Sequence, residues 1–355
     1  MGLLPINLIR PDMVLDEDIT KKDAIYVPIG TEVTPRVMDV MHELNVKVAN
    51  VVTCDMPDHS VSDMIVEYDH VVELYKCFYN IATNYDSLAM KQSTSDIKNA
   101  VELIVADIQT SNRSFIYDLR DRINNTKKYA HSVNTMLLAM MFGHTLKLDY
   151  DELVSIGLGS LFADFGMFMM PGMVWQKSER LTSEDWSIVH RHPRESVKFI
   201  RENLNLPFSV NQAILDHHER YGGEGYPEGR KGDNISKYAR IIMLPDVYDA
   251  MTRDNYYRGK IARHESLEYI EGGSGVLFDP DLVNKFSKSL VMYPIGCSVQ
   301  LSDGSIGQVL TTLFSTKRPI ICVYYRNGKL LESCEVVNLN DIHNLNITIV
   351  DCYGM

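Results

Sequence analysis

The sequence predicts a mainly α-helical protein with a small α+β module at its N-terminus and a small β-rich module at its C-terminus. Apolar residues recur every three and four positions through the centre of the chain, which is the period of an amphipathic helix. From Tyr293 onward they alternate with a period of two, which is typical of strands. A length of 355 residues, with 45% hydrophobic residues, agrees with a globular protein of two or three domains.

The N-terminal module is predicted over residues 1–55. One short helix is expected at Thr34–Leu44, because Thr34 is a good N-cap and Pro35 suits the first helical position. Turn signals such as Pro28–Gly30 separate the short apolar runs. The strands are expected at Val14–Ile19, Ala24–Val27 and Val46–Val52.

Helices dominate the predicted centre of the chain, as a connector over residues 56–110 and a larger domain over residues 111–290. Thr182 is expected to cap one of these helices, because Asp185 three residues later completes a capping box. Helices with apolar residues at three-and-four spacing are predicted at Ala100–Ile108, Arg120–Leu146 and Glu152–Phe162.

A β-barrel-like module is predicted over residues 291–355. Ser302–Gly304 and Arg326–Gly328 are turn signals, and the second contains the Asn-Gly pair that is typical of a hairpin. The strands are predicted at Cys297–Leu301, Gly307–Thr311, Ile320–Tyr325 and Leu330–Val336.

The composition argues against several classes of protein. A formal net charge of −12 disfavours binding to nucleic acid, which requires a broad cationic face. The six cysteines include no CxxC pair, so a cysteine-based zinc site is not expected. Since neither a signal peptide nor a run of 18 apolar residues is recognised, we expect a cytoplasmic protein without membrane insertion.

Six His and Asp residues in the helical part are the candidate metal ligands. Singly each is a weak signal, because a lone histidine on a helix is usually a surface residue or a satisfied core residue. In chain order the six are His131, Asp164, His192, His217, His218 and Asp246. The other histidines are assigned to that ordinary class, and they are His42, His59, His70, His144, His190, His264 and His343.

The adjacent pair His217-His218 is more informative, because the glycine-rich segment Glu219–Gly229 follows it. Imidazole nitrogens bind transition metals, and glycines let the backbone approach a bound ligand closely. A helix C-terminus followed by an ordinary glycine-rich turn has the same composition. The motif favours a metal centre and leaves this alternative open.

His217-His218-Glu219 followed by Gly225-Tyr226-Pro227 resembles the hallmark of HD-GYP domains, which hydrolyse cyclic di-GMP. The resemblance covers roughly residues 124–290 and implies an HD-GYP helical bundle. Further motifs follow in the family's order, and they are Leu181-Thr182-Ser183-Glu184, His192-Pro193, Ala239-Arg240-Ile241, Asp246-Val247-Tyr248-Asp249-Ala250 and Phe278-Asp279-Pro280.

Members of this family hold two or three metal ions, such as iron or manganese, between their helices. The resemblance assigns the six candidate ligands to two metals, with Asp164 as the catalytic aspartate that bridges them. The other ligands of the first metal are His131 and Asp246. Those of the second metal are His192, His217 and His218. The candidate ligand-binding residues are Gly225, Tyr226, Pro227 and Arg258.

The chain departs from the family pattern at its metal centre. Ala163 stands in place of the His of the HD pair, and an alanine side chain cannot donate to a metal. Met167 replaces the Lys that approaches the scissile phosphate in the family. Lys127 stands where members with three metals carry a Glu ligand, and a cation there would repel a third ion.

Two further departures concern the phosphate and the first metal. Asn255 stands where the family has an Arg near a ligand phosphate, although Arg258 keeps a cation three residues later. Pro245 precedes the candidate ligand Asp246, and because proline removes a backbone donor we expect it to disturb the aim of that ligand.

Most of these changes remove a ligand or a positive charge from the place where phosphate would react. We therefore expect a degenerate HD-GYP protein that binds cyclic di-GMP or a partner protein, with weak or no hydrolysis. An active phosphodiesterase with an altered metal centre and a structural interaction module are the alternatives, so enzymatic activity stays open. With four candidate donors in the second set, we expect about one divalent transition metal ion per chain.

Overall fold

The computed structural model describes residues 2–6, 9, 13–15, 17–21, 24–46, 48–52, 66–83, 87–111, 116–117, 127–170, 182–204, 206–253, 261–312 and 315–353. The chain forms two compact units. Residues 64–290 make up one unit, and residues 1–63 together with residues 291–355 make up the other.

The unit formed by residues 64–290 is mainly helical, which confirms the predicted fold class. Two short strands accompany its helices, β6 at Ile116–Tyr117 and β7 at Leu290–Val291. The boundary of the unit falls within β7, after Leu290. The helices are α2 (Tyr68–Thr83), α3 (Ser87–Thr110), α4 (Lys127–Thr145), α5 (Tyr150–Phe162), α6 (Phe165–Met169), α7 (Ser183–Val189), α8 (His192–Asn203), α9 (Phe208–Asp216), α10 (Lys237–Thr252), α11 (Arg263–Gly272) and α12 (Pro280–Ser289).

Helix α4 lies at the centre of the helical unit. Residues 132–143 of this helix are all buried, and α4 packs against both α5 and α10. Helix α9 packs in turn against α5, α8 and α10. The elements that carry the candidate ligands are therefore packed against one another in a single helical unit.

Local capping signals fix the beginnings of two of these helices. The Thr182 side chain accepts a hydrogen bond from the Asp185 backbone, and the Asp185 side chain accepts one from the Thr182 backbone, so the predicted capping box is present. Asp149 and Glu152 form the same motif at the start of α5. Each box satisfies backbone donors that a helix N-terminus leaves unpaired.

Pro245 does not interrupt its helix. Helix α10 runs continuously from Lys237 to Thr252 with Pro245 inside it. Since residues 241–246 are all buried, tertiary packing on this stretch compensates for the backbone donor that proline lacks. The expectation that Pro245 would disturb the helix and the aim of Asp246 is therefore wrong.

The second unit contains the predicted N-terminal elements. Helix α1 spans Pro35–Glu43, and the Thr34 side chain caps it by accepting the Val37 backbone N–H at 3.3 Å. An antiparallel sheet has the order β1-β5-β2, and a separate hairpin pairs β3 with β4. The strands are β1 (Gly2–Pro5), β2 (Val14–Leu15), β3 (Ile19–Lys21), β4 (Ala24–Val27) and β5 (Val48–Val52).

The same unit contains an antiparallel five-stranded sheet with the order β11-β10-β9-β8-β12. The turn at Asn327-Gly328 joins β10 to β11, as the sequence predicts. Among the described residues β11 and β12 do not pair with each other, so this sheet is open and not a closed barrel. The strands are β8 (Ser298–Leu301), β9 (Ile306–Thr311), β10 (Ile320–Arg326), β11 (Lys329–Asn338) and β12 (Ile349–Tyr353).

The N-terminal and C-terminal stretches share one hydrophobic core. Met13, Met41 and Val51 from the first stretch cluster with Ile306 and Tyr324 from the second, and all five side chains are at most 1% exposed. The sequence pattern predicted two separate modules over residues 1–55 and 291–355, whereas the structure joins them in one unit.

The stretch Tyr150–Met169 is long and apolar enough to cross a membrane by length and composition alone. About two thirds of it, 67%, is buried inside the protein, as is common for a core helix. It comprises α5, the turn at Ala163-Asp164 and α6, so it is not one uninterrupted helix.

Candidate metal centre

The fold brings all six candidate ligands together. Asp164 lies in the turn between α5 and α6, and it belongs to two groups whose potential ligand atoms lie within 4.8 Å of one another. The first group consists of Asp164 with His131 from α4 and Asp246 from α10. The second group consists of Asp164 with His192, at the start of α8, and with His217 and His218, which follow the end of α9. No cysteine belongs to either group.

Asp164 faces both groups with different oxygens. Its Oδ2 lies 3.4 Å from the Nε2 of His131. Its Oδ1 lies 3.2 Å from the Nε2 of His192 and 3.5 Å from the Nε2 of His217. This is the arrangement that the resemblance implies for a carboxylate shared by two metals.

In the second group, the unprotonated ring nitrogens of His192 and His217 face each other. The Nδ1 of His192 lies 2.7 Å from the carbonyl oxygen of Val189, and the Nδ1 of His217 lies 2.7 Å from that of Ile214. Because a carbonyl can only accept, both Nδ1 atoms carry the proton and the Nε2 lone pairs are free in the neutral rings.

These two Nε2 atoms lie only 3.2 Å apart, and the Asp164 carboxylate stands beside them. Three acceptors that converge in this way require a cation between them, either a proton or a metal ion. The donor set of the second group therefore fits a divalent transition metal.

The first group follows the same logic. The Nδ1 of His131 donates to the Oδ2 of Asp249 at 2.6 Å, which leaves its Nε2 as an acceptor. That Nε2 faces the Oδ1 of Asp246 at 3.0 Å and the Oδ2 of Asp164 at 3.4 Å. Three acceptors again converge, so this group also fits a metal ion, although with one donor fewer than the second group.

Asp249 is a site residue that the sequence analysis did not single out. It is fully buried, and besides His131 it contacts the Asn134 amide and the Arg253 guanidinium, whose Nε lies 2.8 Å from its Oδ2. A carboxylate behind a ligating histidine fixes the ring and makes it more basic. The available signal was its position three residues after Asp246, on the same face of α10.

The electrostatic field of the centre attracts positive charge. Burial opposes a charge on His131, yet hydrogen bonds with Asp164, Asp246 and Asp249 hold the pKa of its imidazole well above the ordinary value. Burial likewise opposes the Asp164 carboxylate, but hydrogen bonds from the surrounding histidines hold its pKa well below the ordinary value. Burial, followed by the neighbouring imidazoles, lowers the pKa of His218, so this ring is neutral at pH 7.

The turn that carries Asp164 is fixed to helix α8. The Ser196 hydroxyl accepts the Gly166 backbone N–H at 2.7 Å and donates to the carbonyl oxygen of Ala163 at 2.8 Å. A Cβ atom on Gly166 would lie 2.2 Å from the carbonyl oxygen of His192. Only glycine lets the turn approach α8 closely enough to bring Asp164 beside His192.

We expect Gly166→Ala to destabilise the protein by about 1–3 kcal/mol, because its Cβ would collide with backbone that cannot move freely. Thermal denaturation measures the change. Gly272→Ala is the matched control, because no atom lies within 4 Å of its added Cβ, and it should be neutral or stabilising by up to about 1 kcal/mol. Equal stability of the two variants would contradict the assigned packing.

A buried carboxylate shapes the glycine-rich loop after His218. Glu219 is fully buried, and its two oxygens accept the backbone N–H groups of Glu228 at 2.7 Å and Arg230 at 2.9 Å. A Cβ on Gly225 would lie 2.3 Å from the Glu219 backbone, so the loop folds back on itself at this residue. Of the predicted ligand-binding residues, Gly225, Tyr226 and Pro227 lie in this loop.

The loop places Tyr226 against the metal centre. Its ring lies 4.8 Å from the His218 ring and 4.0 Å from the His190 ring, measured between centroids. Burial raises the pKa of the Tyr226 hydroxyl, and Asp164 and Asp246 add to the effect, so the phenol stays protonated. His190 is exposed, as expected for an ordinary surface histidine, but its stacking on Tyr226 was not foreseen.

Two of the positions that depart from the family pattern flank the turn at Asp164. Ala163 is buried at the C-cap of α5, directly before Asp164, and Met167 is half-buried on α6. Lys127 opens α4. Arg258, a predicted ligand-binding residue, and Asn255 lie outside the described residues.

The family model for the HD domain matches residues 80–282, which is more than half of the chain. A cyclic di-GMP phosphodiesterase of Pseudomonas aeruginosa is 30% identical over 61% of this chain and 52% of its own length. The cyclic di-GMP phosphodiesterase PdeB of Borreliella burgdorferi is 28% identical over 62% of this chain and 58% of its own length. This chain thus matches little more than half the length of these relatives.

A solved structure, that of a HDG"Y"P protein from Bdellovibrio bacteriovorus, is similar at 16% identity and a TM-score of 0.49, over 80% of this chain and 97% of that one. The match to the family model covers every candidate metal ligand. This chain is therefore a member of the HD domain family.

Proposed function

We propose that this chain is a degenerate HD-GYP protein that holds a divalent transition metal and binds cyclic di-GMP, with weak or no hydrolysis. Both relatives described above are named cyclic di-GMP phosphodiesterases, which supports the ligand class. One observation carries the proposal. Six converging donors surround the turn at Asp164, while the residue before it, Ala163, has no donor atom.

The metal is assigned to the second group, with iron or manganese as the expected ion and about one ion per chain. Asp164, His192, His217 and His218 would hold it. A bound metal in such a site supplies Lewis-acid stabilisation of phosphate oxygens and lowers the pKa of a coordinated water. The fixed Nδ1 protons of His192 and His217 keep the ligating nitrogens free to bind it.

The chain's own residues support binding better than turnover. The loop with Tyr226 and Pro227 is braced by Glu219 and stands beside the centre. Arg220 follows Glu219 at the start of this loop, its guanidinium carbon lies 5.7 Å from the centroid of the Phe278 ring, and its buried Nη1 finds no hydrogen-bond partner among the described residues. This cation suits a ligand phosphate. At Met167, in contrast, there is no charge to stabilise a phosphate under attack.

Cyclic di-GMP binding is expected to weaken with added salt, because phosphate contacts are partly Coulombic. Arg220→Gln should weaken binding about 10-fold, since it removes a charged hydrogen-bond donor. Arg201→Gln is the matched control, because Arg201 is exposed at the far end of α8. Isothermal titration calorimetry measures both. The absence of heat and of a thermal shift at high ligand concentration would overturn the ligand assignment.

An active phosphodiesterase with an altered metal centre is the second candidate. The observation in its favour is that the first group keeps three converging donors and the buried carboxylate of Asp249 behind His131. A second ion bound there would give the centre two metals. Multiple turnover of cyclic di-GMP by the metal-loaded protein would establish this candidate and exclude the first one. A pure interaction module, the third alternative, would bind neither metal nor cyclic dinucleotide.

A further inference from the structure

One of the four candidate imidazole ligands lacks the hydrogen bond that orients the others. The Nδ1 atoms of His131, His192 and His217 are each fixed by an oxygen at 2.6–2.7 Å, from Asp249 or from a backbone carbonyl. Neither ring nitrogen of His218 makes a hydrogen bond to a described residue. A ligating histidine normally donates its second nitrogen to an acceptor, which sets the orientation of the ring. The orientation of His218 must have another cause.

Ring contacts surround His218. Its centroid lies 4.0 Å from that of His217, with 40° between the ring planes, and 4.8 Å from that of Tyr226, with 32°. The His192 ring meets it edge-on at 4.9 Å. Two of these three rings are themselves candidate ligands that a metal would hold, so Tyr226 is the neighbour that does not depend on the metal.

Tyr226 is itself held by a ring from another element. His190 is the C-cap residue of helix α7, and its ring stacks on the Tyr226 ring at a centroid distance of 4.0 Å with an interplanar angle of 23°. Trp186 lies one turn earlier on α7, and its ring is 5.8 Å from that of His190. His218, Tyr226 and His190 thus form a column of rings, which we call the ring column, running from the metal centre to an exposed side chain.

We propose that His190 and Tyr226 are positioning residues, which hold the His218 imidazole in its ligating orientation through the ring column. This role rests on the proposed metal centre. It means that the loop Glu219–Gly229 and helix α7 influence the affinity of the second group for its metal ion. Stacked aromatic pairs contribute a modest, geometry-dependent attraction. Residues behind a metal ligand typically change affinity by about 10- to 100-fold when they are replaced.

The test measures the affinity of the purified full chain for Mn²⁺ by competition with a chromophoric chelator. His190→Ala should weaken the tightest site by roughly 2- to 10-fold, because it removes one stacked pair. Tyr226→Ala should weaken it by about 10-fold or more. Tyr226→Phe should keep the wild-type affinity, because it keeps the ring and removes only the hydroxyl.

His190→Phe separates positioning from direct ligation. Phenylalanine stacks but has no donor nitrogen, so this variant should bind metal like the wild type. His343→Ala, an exposed histidine in the other unit, is the control for loss of an imidazole elsewhere. Thermal denaturation of every variant shows whether it is folded. Because His190 is exposed, its variants keep the test valid if Tyr226→Ala does not fold.

Two results would overturn the inference alone. Unchanged Mn²⁺ affinity in both His190→Ala and Tyr226→Ala would show that the ring column does not position His218. Equal losses in His190→Phe and His190→Ala would show that the imidazole acts through its nitrogens and not through stacking. A wild-type chain that binds no Mn²⁺, Fe²⁺ or Zn²⁺ would instead overturn the proposed metal centre, and this inference with it.

Discussion

His218→Ala is expected to remove most of the tightly held metal from the purified protein, whereas His131→Ala is expected to remove little. The second group has four candidate donors and would keep three after this substitution. Each lost ligand weakens a transition-metal site strongly, because imidazole and carboxylate donors supply the binding free energy. His131 belongs only to the first group, which has three donors.

Elemental analysis after dialysis against a weak chelator measures the metal content of both variants. Wild-type protein should retain about one ion per chain under the same treatment. The two variants each lose one imidazole from the same centre, so each serves as the control for the other. Loss of two ions together in His131→Ala would show that the first site is intact, and the argument for impaired catalysis would lose its main support.

The double variant Ala163→His with Met167→Lys is expected to hydrolyse cyclic di-GMP at least about 100-fold faster than the wild type. The resemblance places a metal ligand at the first position and a cation near the scissile phosphate at the second. Removing one electrostatic contact to a transition state typically costs about 10²–10³ in rate, so restoring two such groups should have a large effect.

Chromatographic separation of the linear and cyclic dinucleotides measures this gain. Ala163 is buried at the end of α5, so thermal denaturation must first show that the double variant folds. Met167→Lys alone, at a half-buried position, tests the cation separately if the double variant does not fold. A folded, metal-loaded double variant that is no faster than the wild type would mean that other residues limit turnover.

The elements that the sequence predicts well are those with local signals. Thr34 and Thr182 cap their helices as expected, because a cap needs only its own residue and the next turn. Strand β12 at Ile349–Tyr353 was missed, because it is defined by its antiparallel pairing with β8, which is distant in sequence. The shared core of the N-terminal and C-terminal stretches was missed for the same reason.

The residues of the candidate site also divide into those that a sequence motif indicates and those that only the fold brings together. The six candidate ligands follow from a motif resemblance, and the structure brings them together around Asp164. Asp249 and His190 were not recognised, because their contacts with His131 and Tyr226 join segments that are far apart in the sequence. At Pro245 the local signal is misleading, because the packing of α10 outweighs the tendency of proline to interrupt a helix.

Whether this chain hydrolyses cyclic di-GMP is decided by the turnover of the wild-type protein in a sample whose metal content is known. The assay uses protein loaded freshly with Mn²⁺ or Fe²⁺ under anaerobic conditions, with an intact HD-GYP phosphodiesterase as the reference. We predict that the chain binds cyclic di-GMP but forms product at least about 100-fold more slowly than the reference. Multiple turnover at a rate comparable to the reference would contradict the account, because the donors that remain around Asp164 would then suffice for hydrolysis.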